Sequence, residues 1–249
     1  MKEPVKKDDM QAAPRILVII PAYNESRKIA QVVQGIRLVV PDCDILVVND
    51  GSRDDTAAAA AAAGAVVLTH PINMGYGVTI QTAYKYAFER GYDYLVQIDG
   101  DGQHDPVFIP ALLEAVVAGE TDVVVGSRFR EVESYRPSFS RRLGILFFRK
   151  LVSVLVGREI TDPTSGYQAM NRDVIRFFTS DVFPCDYPDA DVLVSLNLAG
   201  FRIREIPVRM FANAEGKTMH SGFKPLYYMF KMCLSIFVTL LRNRALYRR

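Results

Sequence analysis

Short apolar runs alternate with segments of helical periodicity through the first half of the chain. The runs are rich in β-branched side chains, and turn residues such as Pro21 and Pro41 separate the segments. Strands are predicted at residues 15–20, 45–48, 66–68, 94–98 and 123–125, and helices at residues 26–40, 57–63, 75–90 and 107–118. This alternation is typical of a mostly parallel sheet covered by helices on both faces, an α/β fold.

The pattern changes beyond residue 130. Residues 131–142 are polar and arginine-rich, which predicts a mobile basic loop, with an ordinary solvated surface as the alternative. Further helices are predicted at 143–156 and 189–199, a strand at 201–211 and a flexible loop at 213–222. The chain therefore divides into a disordered segment at 1–14, one globular domain at 15–211, and a mobile loop plus a helix at 212–249.

The last apolar segment, residues 223–241, is interrupted by Lys224 and Lys231. It is slightly short and too charged for a membrane span, which needs about 20 apolar residues. Tyr227, Tyr228 and the flanking basic residues are typical of an amphipathic helix that lies on a membrane surface. A core helix of a soluble domain is the alternative.

Charge is distributed unevenly along the 249 residues. Glu215 is the last acidic residue, and the seven charged residues after it are all basic. The acidic residues outnumber the basic ones in the rest of the chain, so an anionic surface is the expected partner of the tail. The many apolar side chains of the tail favour a membrane over nucleic acid.

The cysteines and the N-terminus bear on the compartment. Cys43, Cys185 and Cys233 are far apart and odd in number, which argues against a disulfide framework and for a reducing compartment. Residues 1–14 are charged and lack the apolar region of a secretory signal. We therefore expect a cytoplasmic protein attached peripherally to the inner face of a membrane.

Two carboxylates follow the strand predicted at 94–98. Asp99 and Asp101 are spaced i, i+2 and point the same way from an extended segment. Like charges held this close resist ionising together unless a cation lies between them, and Mg²⁺ or Mn²⁺ prefers carboxylates together with substrate phosphates. An EF-hand is excluded, because its sixth position would be His104 instead of Gly and its twelfth Pro110 instead of Glu.

Polar segments follow four of the predicted strands, at residues 21–25, 49–52, 99–105 and 126–128. The carboxyl ends of parallel strands share one edge of the sheet, where ligands bind. A dinucleotide-binding Rossmann site is rejected, because the first turn has no glycine and Gly75-Tyr76-Gly77 lacks the third glycine, at Ile80.

Together these motifs resemble a known family. Pro21-Ala22-Tyr23-Asn24-Glu25, Val47-Val48-Asn49-Asp50-Gly51-Ser52 and Asp99-Gly100-Asp101 resemble family 2 glycosyltransferases, which have the Rossmann-like GT-A fold, over roughly residues 15–211. Asp162-Pro163-Thr164-Ser165-Gly166-Tyr167 and the final loop and helix resemble the polyprenyl-phosphate glycosyltransferases, the group that includes dolichyl-phosphate mannose synthase.

The resemblance implies a role for each matching position. The nucleotide-binding residues would be Pro21, Ala22, Tyr23, Glu25, Asp50, Gly75 and Asp99, and the ligands of Mg²⁺ or Mn²⁺ would be Asp99, Asp101 and Gln103. The acceptor phosphate would be bound by Arg128, Arg141, Arg142 and Lys217. The sugar pocket would contain Ser165 and Gly166. Asn49 stands where many members have Asp. The residues expected to take part in catalysis are Asp101, Arg128 and Asp191.

The expected reaction is an inverting, metal-dependent transfer of a sugar from a nucleotide diphosphate, UDP more than GDP, to a polyprenyl or dolichyl monophosphate. Arginine forks match phosphate oxygens, and a phosphate acceptor needs no catalytic base. A sugar hydroxyl acceptor is the alternative and would need a base, for which Asp189 and Asp191 are the candidates. A non-catalytic membrane-docking protein is the alternative of another class. A small membrane protein or a second copy of the chain is a further expected partner, because the tail is a weak anchor.

Overall fold

The computed structural model describes residues 13–130, 139–184, 186, 188–211 and 224–242. Its strands are β1 (Ile16–Ala22), β2 (Asp44–Asn49), β3 (Val66–Thr69), β4 (Tyr94–Gln97), β5 (Val123–Ser127), β6 (Gln168–Asn171) and β7 (Ile203–Pro207). Its helices are α1 (Ile29–Val39), α2 (Thr56–Ala62), α3 (Tyr76–Glu89), α4 (Ile109–Val117), α5 (Phe139–Val156), α6 (Arg172–Phe178), α7 (Ala190–Leu198) and α8 (Lys224–Leu241). A turn of 3₁₀ helix, Pro106–Phe108, precedes α4.

The strands form one sheet in the order β3-β2-β1-β4-β6-β5-β7. All neighbouring pairs are parallel except those of β6, which runs antiparallel between β4 and β5. The predicted mostly parallel α/β sheet is confirmed. Strand β6 and helix α6 were not predicted, because Gln168-Ala169-Met170-Asn171 has neither the alternation nor the β-branched side chains that identify a strand.

Apolar side chains fill the space on both faces of the sheet. Within β1, Leu17 and Ile19 belong to the core beneath α3 and α5 to α8, whereas Val18 and Ile20 belong to the core beneath α1, α2 and α4. A strand covered on both faces must be apolar at every position, which explains the continuous apolar run in the sequence.

The predicted boundaries need two corrections. Helix α1 begins at Ile29 instead of residue 26, because the backbone turns at Glu25, whose carbonyl accepts the N–H groups of Lys28 and Ile29. Helix α5 begins at Phe139, so Arg141 and Arg142 lie in its first turn and not in the predicted loop. The disorder predicted at 1–14 and the loop predicted at 213–222 fall almost wholly outside the described residues.

A crevice opens where the strand order reverses. The chain adds β2 and β3 on one side of β1 and then adds β4 on the other side. The connection after β1 therefore runs to β2 on one side, whereas the connection after β4 runs to β5 on the other side, and ligands bind at such switch points. Residues 21–25 and 99–105 line this place.

The C-terminal helix has two apolar faces. Met232 and Ile236 are buried against α7 and the core, while Phe230, Leu234, Phe237 and Leu241 are exposed at i, i+4, i+7 and i+11. Among the described helices, none combines the length and apolar character needed to cross a bilayer. The predicted alternative of a core helix is therefore correct for one face of α8 only.

Candidate active site

The acidic pair lies at the crevice, directly after β4. The Tyr76 hydroxyl donates to Asp99 Oδ1 at 3.0 Å, and the Asp99 backbone N–H donates to His104 Nδ1 at 3.3 Å. Asp101 accepts the Gln103 backbone N–H at 2.9 Å and also the Gln103 side-chain amide. The segment 99–104 thus forms a tight turn that presents both carboxylates at the edge of the sheet.

Burial and mutual repulsion weaken ionisation of the pair. Burial raises the pKa of Asp99, opposed by the Tyr76 hydrogen bond and by the positive charge of Arg128. Burial and the neighbouring charge of Asp99 raise the pKa of Asp101. Burial lowers the pKa of His104 to about 4, so its imidazole is neutral near pH 7 and Nδ1 can accept. A crevice of this kind favours a bound cation.

The predicted metal ligands fit a hard divalent ion that keeps other ligands. The Asp99 side chain is 28% exposed, which leaves the carboxylate open to an ion. The Gln103 amide nitrogen faces Asp101, so its carbonyl oxygen would become a ligand only after the amide turns. Within the described part of the chain, no group of three His, Cys, Asp or Glu side chains could hold a metal. The protein would therefore supply two carboxylates, and water and substrate phosphates would complete the shell, as Mg²⁺ prefers.

A chain of hydrogen bonds connects Asp99 to side chains in the core. Tyr84 donates to Gln97 Oε1 at 2.7 Å, and Gln97 Nε2 donates to the Tyr76 hydroxyl at 3.2 Å. These bonds leave the Tyr76 proton directed to Asp99. Sequence reasoning missed Tyr76, Gln97 and Tyr84; the one available signal was a glutamine at the end of a buried apolar strand.

The loops after β1 and β2 are joined by hydrogen bonds. The Asn24 N–H donates to Ser52 Oγ at 2.9 Å, and the Arg53 N–H donates to Asn24 Oδ1 at 2.9 Å. Asn24 has a φ of 57°, a left-handed conformation that asparagine tolerates. The predicted nucleotide-binding segment from Pro21 to Glu25 therefore forms one wall of the crevice, with the Tyr23 ring 43% exposed.

Asp50 is buried and its carboxylate is engaged within the protein. It accepts the backbone N–H groups of Met74 at 2.8 Å and Gly75 at 2.9 Å, and it lies 2.8 Å from His70 Nδ1. These contacts support the loop at 70–75, and the direct contact of Asp50 with a nucleotide stays a prediction. Gly75 belongs to this loop, and its φ of 95° suits glycine.

Arg128 is buried in an ion pair. Its Nε and Nη2 donate to the two oxygens of Asp162 at 2.6 Å each, and Nη2 also donates to Thr164 Oγ1 at 2.9 Å. The backbone N–H groups of Thr161 and Asp162 donate in turn to Glu205. Arg128 is thus held within the protein, where its charge acts on Asp99 and His104, and its contact with the acceptor phosphate stays a prediction. Asp162 and Glu205 were missed as its supports.

The structure describes less about the other residues that were predicted to bind the acceptor phosphate. Arg141 and Arg142 lie in the first turn of α5. Lys217 falls outside the described residues. The contacts of all three stay predictions.

The two residues predicted for the sugar pocket differ in position. The Ser165 hydroxyl is buried and donates to the Gly126 carbonyl at 2.6 Å, so it braces the loop. Gly166 faces the acidic pair: a Cβ built on it would lie 2.9 Å from the Tyr76 hydroxyl and 3.5 Å from Asp99 Oδ2. The absent side chain is what lets Tyr76 reach Asp99.

Gly166→Ala is expected to push Tyr76 away from Asp99 and to raise the metal concentration needed for half-maximal activity. Loss of a residue that orients a metal ligand typically costs about 10–100-fold in metal affinity or activity. The measurement is a metal titration of activity. Gly144→Ala is the matched control, because its nearest neighbour would lie at an ordinary 3.9 Å. Equal titration curves for both variants would contradict this role for Gly166.

The two aspartates predicted as bases are separated by the fold. Asp191 is buried; it accepts the N–H groups of Asp189 at 3.0 Å and Val192 at 2.9 Å, and the hydroxyl of Ser235 in α8. Burial raises its pKa. Asp189 instead lies close enough to Tyr76 for its charge to help raise the tyrosine pKa. The charge of Asp189 therefore acts on the Tyr76 hydroxyl that contacts Asp99, whereas the Asp191 carboxylate is bonded to α8.

Fold and crevice together define an α/β protein with an acidic ligand site at the carboxyl ends of its strands. Residues 17–178 match the family model for glycosyl transferase family 2. The chain belongs to this family, and it is therefore a sugar-transferring enzyme, a hexosyltransferase. Family membership and the intact acidic pair weigh against the non-catalytic docking interpretation.

Three relatives indicate which group within the family the chain resembles. The chain is 32% identical to an undecaprenyl-phosphate mannosyltransferase from Micrococcus luteus, over 84% of this chain and 88% of the relative. It is 32% identical to a polyprenol monophosphomannose synthase from Mycolicibacterium smegmatis, over 88% and 85%. It is 29% identical to a UDP-N-acetylglucosamine–dolichyl-phosphate N-acetylglucosaminyltransferase from Methanococcus voltae, over 85% and 93%. The resemblance to polyprenyl-phosphate glycosyltransferases is confirmed.

Solved structures support the fold. Glucosyl-3-phosphoglycerate synthase from Mycobacterium tuberculosis, in complex with Mn²⁺ and UDP-glucose, superposes with a TM-score of 0.65 at 23% identity, over 92% of this chain and 79% of that one. The same enzyme in complex with phosphoglyceric acid gives a TM-score of 0.67 at 24% identity, over 92% and 80%. The predicted GT-A type of α/β fold is confirmed.

Proposed function

We propose that this enzyme transfers a sugar, with inversion, from a nucleotide diphosphate to a polyprenyl or dolichyl monophosphate at a membrane surface. The observation that carries the proposal is the acidic pair, Asp99 and Asp101, held at the switch point beside Gly166. The names of the relatives support the lipid phosphate acceptor. The UDP-sugar in the name of the relative from Methanococcus voltae supports UDP over GDP as the nucleotide of the donor.

The acidic pair would hold a divalent cation, Mg²⁺ or Mn²⁺. A bound cation would supply positive charge against the negative charge that develops on the leaving diphosphate. Tyr76 keeps Asp99 aimed into the crevice, and Gly166 leaves room for the sugar. By analogy with glycoside cleavage, positive charge develops at the anomeric carbon, and attack from the opposite face inverts it.

A phosphate acceptor explains why the site needs no base. A phosphate monoester carries about −1.5 to −2 charge near pH 7 and is already a nucleophile. It needs positive charge and orientation, which Arg128 and the basic first turn of α5, with Arg141 and Arg142, supply. Lys217 is proposed to join them from the loop before α8.

The exposed face of α8 is proposed to lie on the membrane. Phe230, Leu234, Phe237 and Leu241 form an exposed stripe along α8, and Leu146, Phe147 and Val154 of α5 are also exposed. The two helices meet where Gly144 approaches Met229. Contiguous exposed apolar surfaces mark interaction sites, and the basic tail suits anionic lipid. The small membrane partner or homo-oligomer and the inner-face location stay predictions.

Replacing Phe230 and Phe237 together by serine is expected to weaken binding to anionic vesicles. Each phenylalanine that leaves the lipid forfeits about 1.5–3 kcal/mol, so the double variant should bind about 10²- to 10⁴-fold less tightly. Co-sedimentation with vesicles measures the effect. Substitution is cleaner than removal of residues 223–249, because α8 also buries Met232 and Ile236.

Leu38→Ser is the control for vesicle binding. Leu38 is 85% exposed on α1, which packs on the opposite face of the sheet. This variant should bind as the wild type does. Unchanged binding of the double phenylalanine variant would exclude α8 as the docking surface.

The test of the function is a transfer assay with Mg²⁺ or Mn²⁺ over a panel of UDP- and GDP-sugars, with and without a polyprenyl monophosphate in detergent. Lipid-dependent release of nucleotide is the expected result and would name the sugar. Absence of metal-dependent nucleotide binding would overturn the proposal.

A hydroxyl acceptor is the second candidate, and it is favoured by the charge of Asp189, which helps to raise the pKa of Tyr76. Asp189 would then remove the hydroxyl proton. Transfer that requires a sugar acceptor and is lost in Asp189→Asn would establish this alternative. Asp191, tied to Ser235, is the less favoured base.

A further inference from the structure

His70 follows β3 and bridges two elements of the crevice. Its Nδ1 lies 2.8 Å from Asp50 Oδ1, and its Nε2 lies 3.0 Å from Thr82 Oγ1 on α3. Both the imidazole and the carboxylate are nearly excluded from solvent, with 11% and 5% of their side-chain surfaces exposed. A hydrogen bond to a charged group in such a place is worth more than one at the surface.

Asp50 passes this restraint to the loop at 70–75. Its two oxygens accept the N–H groups of Met74 and Gly75. The loop packs so closely on Gly51 that a Cβ there would lie 2.5 Å from the Ile72 carbonyl carbon. The carboxylate therefore sets the path of the backbone into α3.

The first residue of α3 is Tyr76, which holds Asp99. Gly75 immediately precedes it, and the Gly75 carbonyl accepts both the backbone N–H and the hydroxyl of Thr79. A shift of the loop would therefore displace the Tyr76 hydroxyl from Asp99 Oδ1. The chain of contacts runs from His70 through Asp50 and the loop to Tyr76.

We propose that His70 is a positioning residue for donor binding: by donating from Nδ1 to Asp50 it holds the loop at 70–75 and keeps Tyr76 on Asp99. For its effect on the donor this inference rests on the proposed function. Its effect on the loop does not.

Two substitutions separate the two nitrogen contacts of His70. The side-chain nitrogen of asparagine is as far along the chain as Nδ1, and that of glutamine is as far as Nε2. His70→Asn can therefore keep the bond to Asp50 and lose Thr82, whereas His70→Gln can keep Thr82 and lose Asp50. A role in packing alone would favour glutamine, the closer match in volume.

Amide hydrogen exchange of Met74 and Gly75 is the first measurement, made on the full chain without substrate. Loss of the bond to Asp50 should speed exchange roughly tenfold in His70→Gln, the equivalent of one hydrogen bond, and not in His70→Asn. Thr82→Val removes the Nε2 contact and the bond to the Val78 carbonyl within α3 but leaves the bond to Asp50, so Met74 and Gly75 should exchange as in the wild type. Equal exchange in the glutamine variant and the wild type would overturn the proposal.

Donor kinetics are the second measurement. His70→Gln should raise the donor KM roughly tenfold with little change in kcat at saturating donor and metal, and His70→Asn should restore the wild-type KM. A fall in kcat alone, or better rescue by glutamine than by asparagine, would overturn the positioning role. A wild-type enzyme that binds no nucleotide would instead refute the proposed function, and the exchange result would still decide the role of His70 in the loop.

Discussion

Asp101→Asn is expected to abolish turnover and to leave the protein folded. This is the largest effect on activity that we expect. Half of the carboxylate charge for the cation is lost, and the remaining Asp99 is a poor site alone. The measurements are transfer activity and metal-dependent nucleotide binding by calorimetry. Glu114→Gln, at an exposed position of α4, is the control and should be fully active.

The same substitution is expected to stabilise the metal-free protein at neutral pH. Burial and the charge of Asp99 raise the pKa of Asp101 in the folded protein above its ordinary 3.8. At a pH between the ordinary pKa and the raised pKa, the folded state therefore binds more protons than the unfolded chain. The stability of the wild-type protein therefore falls as the pH rises through this range. Asp101→Asn has no carboxylate to titrate and should not lose stability in this way. Thermal melts at pH 4 and pH 7 test this sign. Turnover in Asp101→Asn close to that of the wild type would remove Asp101 from the mechanism.

Asp162→Ala is expected to have the largest effect on stability. Asp162 is fully buried and accepts the Nε, the Nη2 and the backbone N–H of Arg128. Without it a buried guanidinium stays uncompensated, which typically costs about 3–5 kcal/mol in the free energy of unfolding. Urea denaturation of the metal-free protein measures the loss.

Two further variants give this experiment its controls. Glu159→Ala breaks the exposed pair with Arg149 and should cost about 1 kcal/mol or less. Replacing Arg128 by methionine together with Asp162 by leucine should recover most of the stability, because no charge remains buried, but should not recover activity. A loss for Asp162→Ala as small as that for Glu159→Ala would show that the buried pair is not what holds the site.

Local patterns in the sequence were sufficient to predict most of the fold. The unbroken apolar runs of β1, β2 and β5 are what strands covered on both faces require, and the seven alanines from Ala57 suit a helix packed on a sheet. Asp99 and Asp101 were recognisable as a pair because two carboxylates spaced i, i+2 directly follow a buried apolar strand. These features depend on neighbours close in the chain, so composition and spacing reveal them.

Only the tertiary structure decided which side chains meet. The bonds of Tyr76 to Asp99, Asp50 to His70, Arg128 to Asp162 and Asp191 to Ser235 join residues 20 to 44 positions apart. The insertion of β6 between β4 and β5, with reversed direction, likewise has no local signature. Periodicity reports which face of an element is buried, whereas the partner of a polar side chain depends on how separate elements pack. The sequence by itself therefore determined the α/β scaffold and the position of the acidic pair, and packing decided that Asp50 is paired with His70 and Arg128 with Asp162.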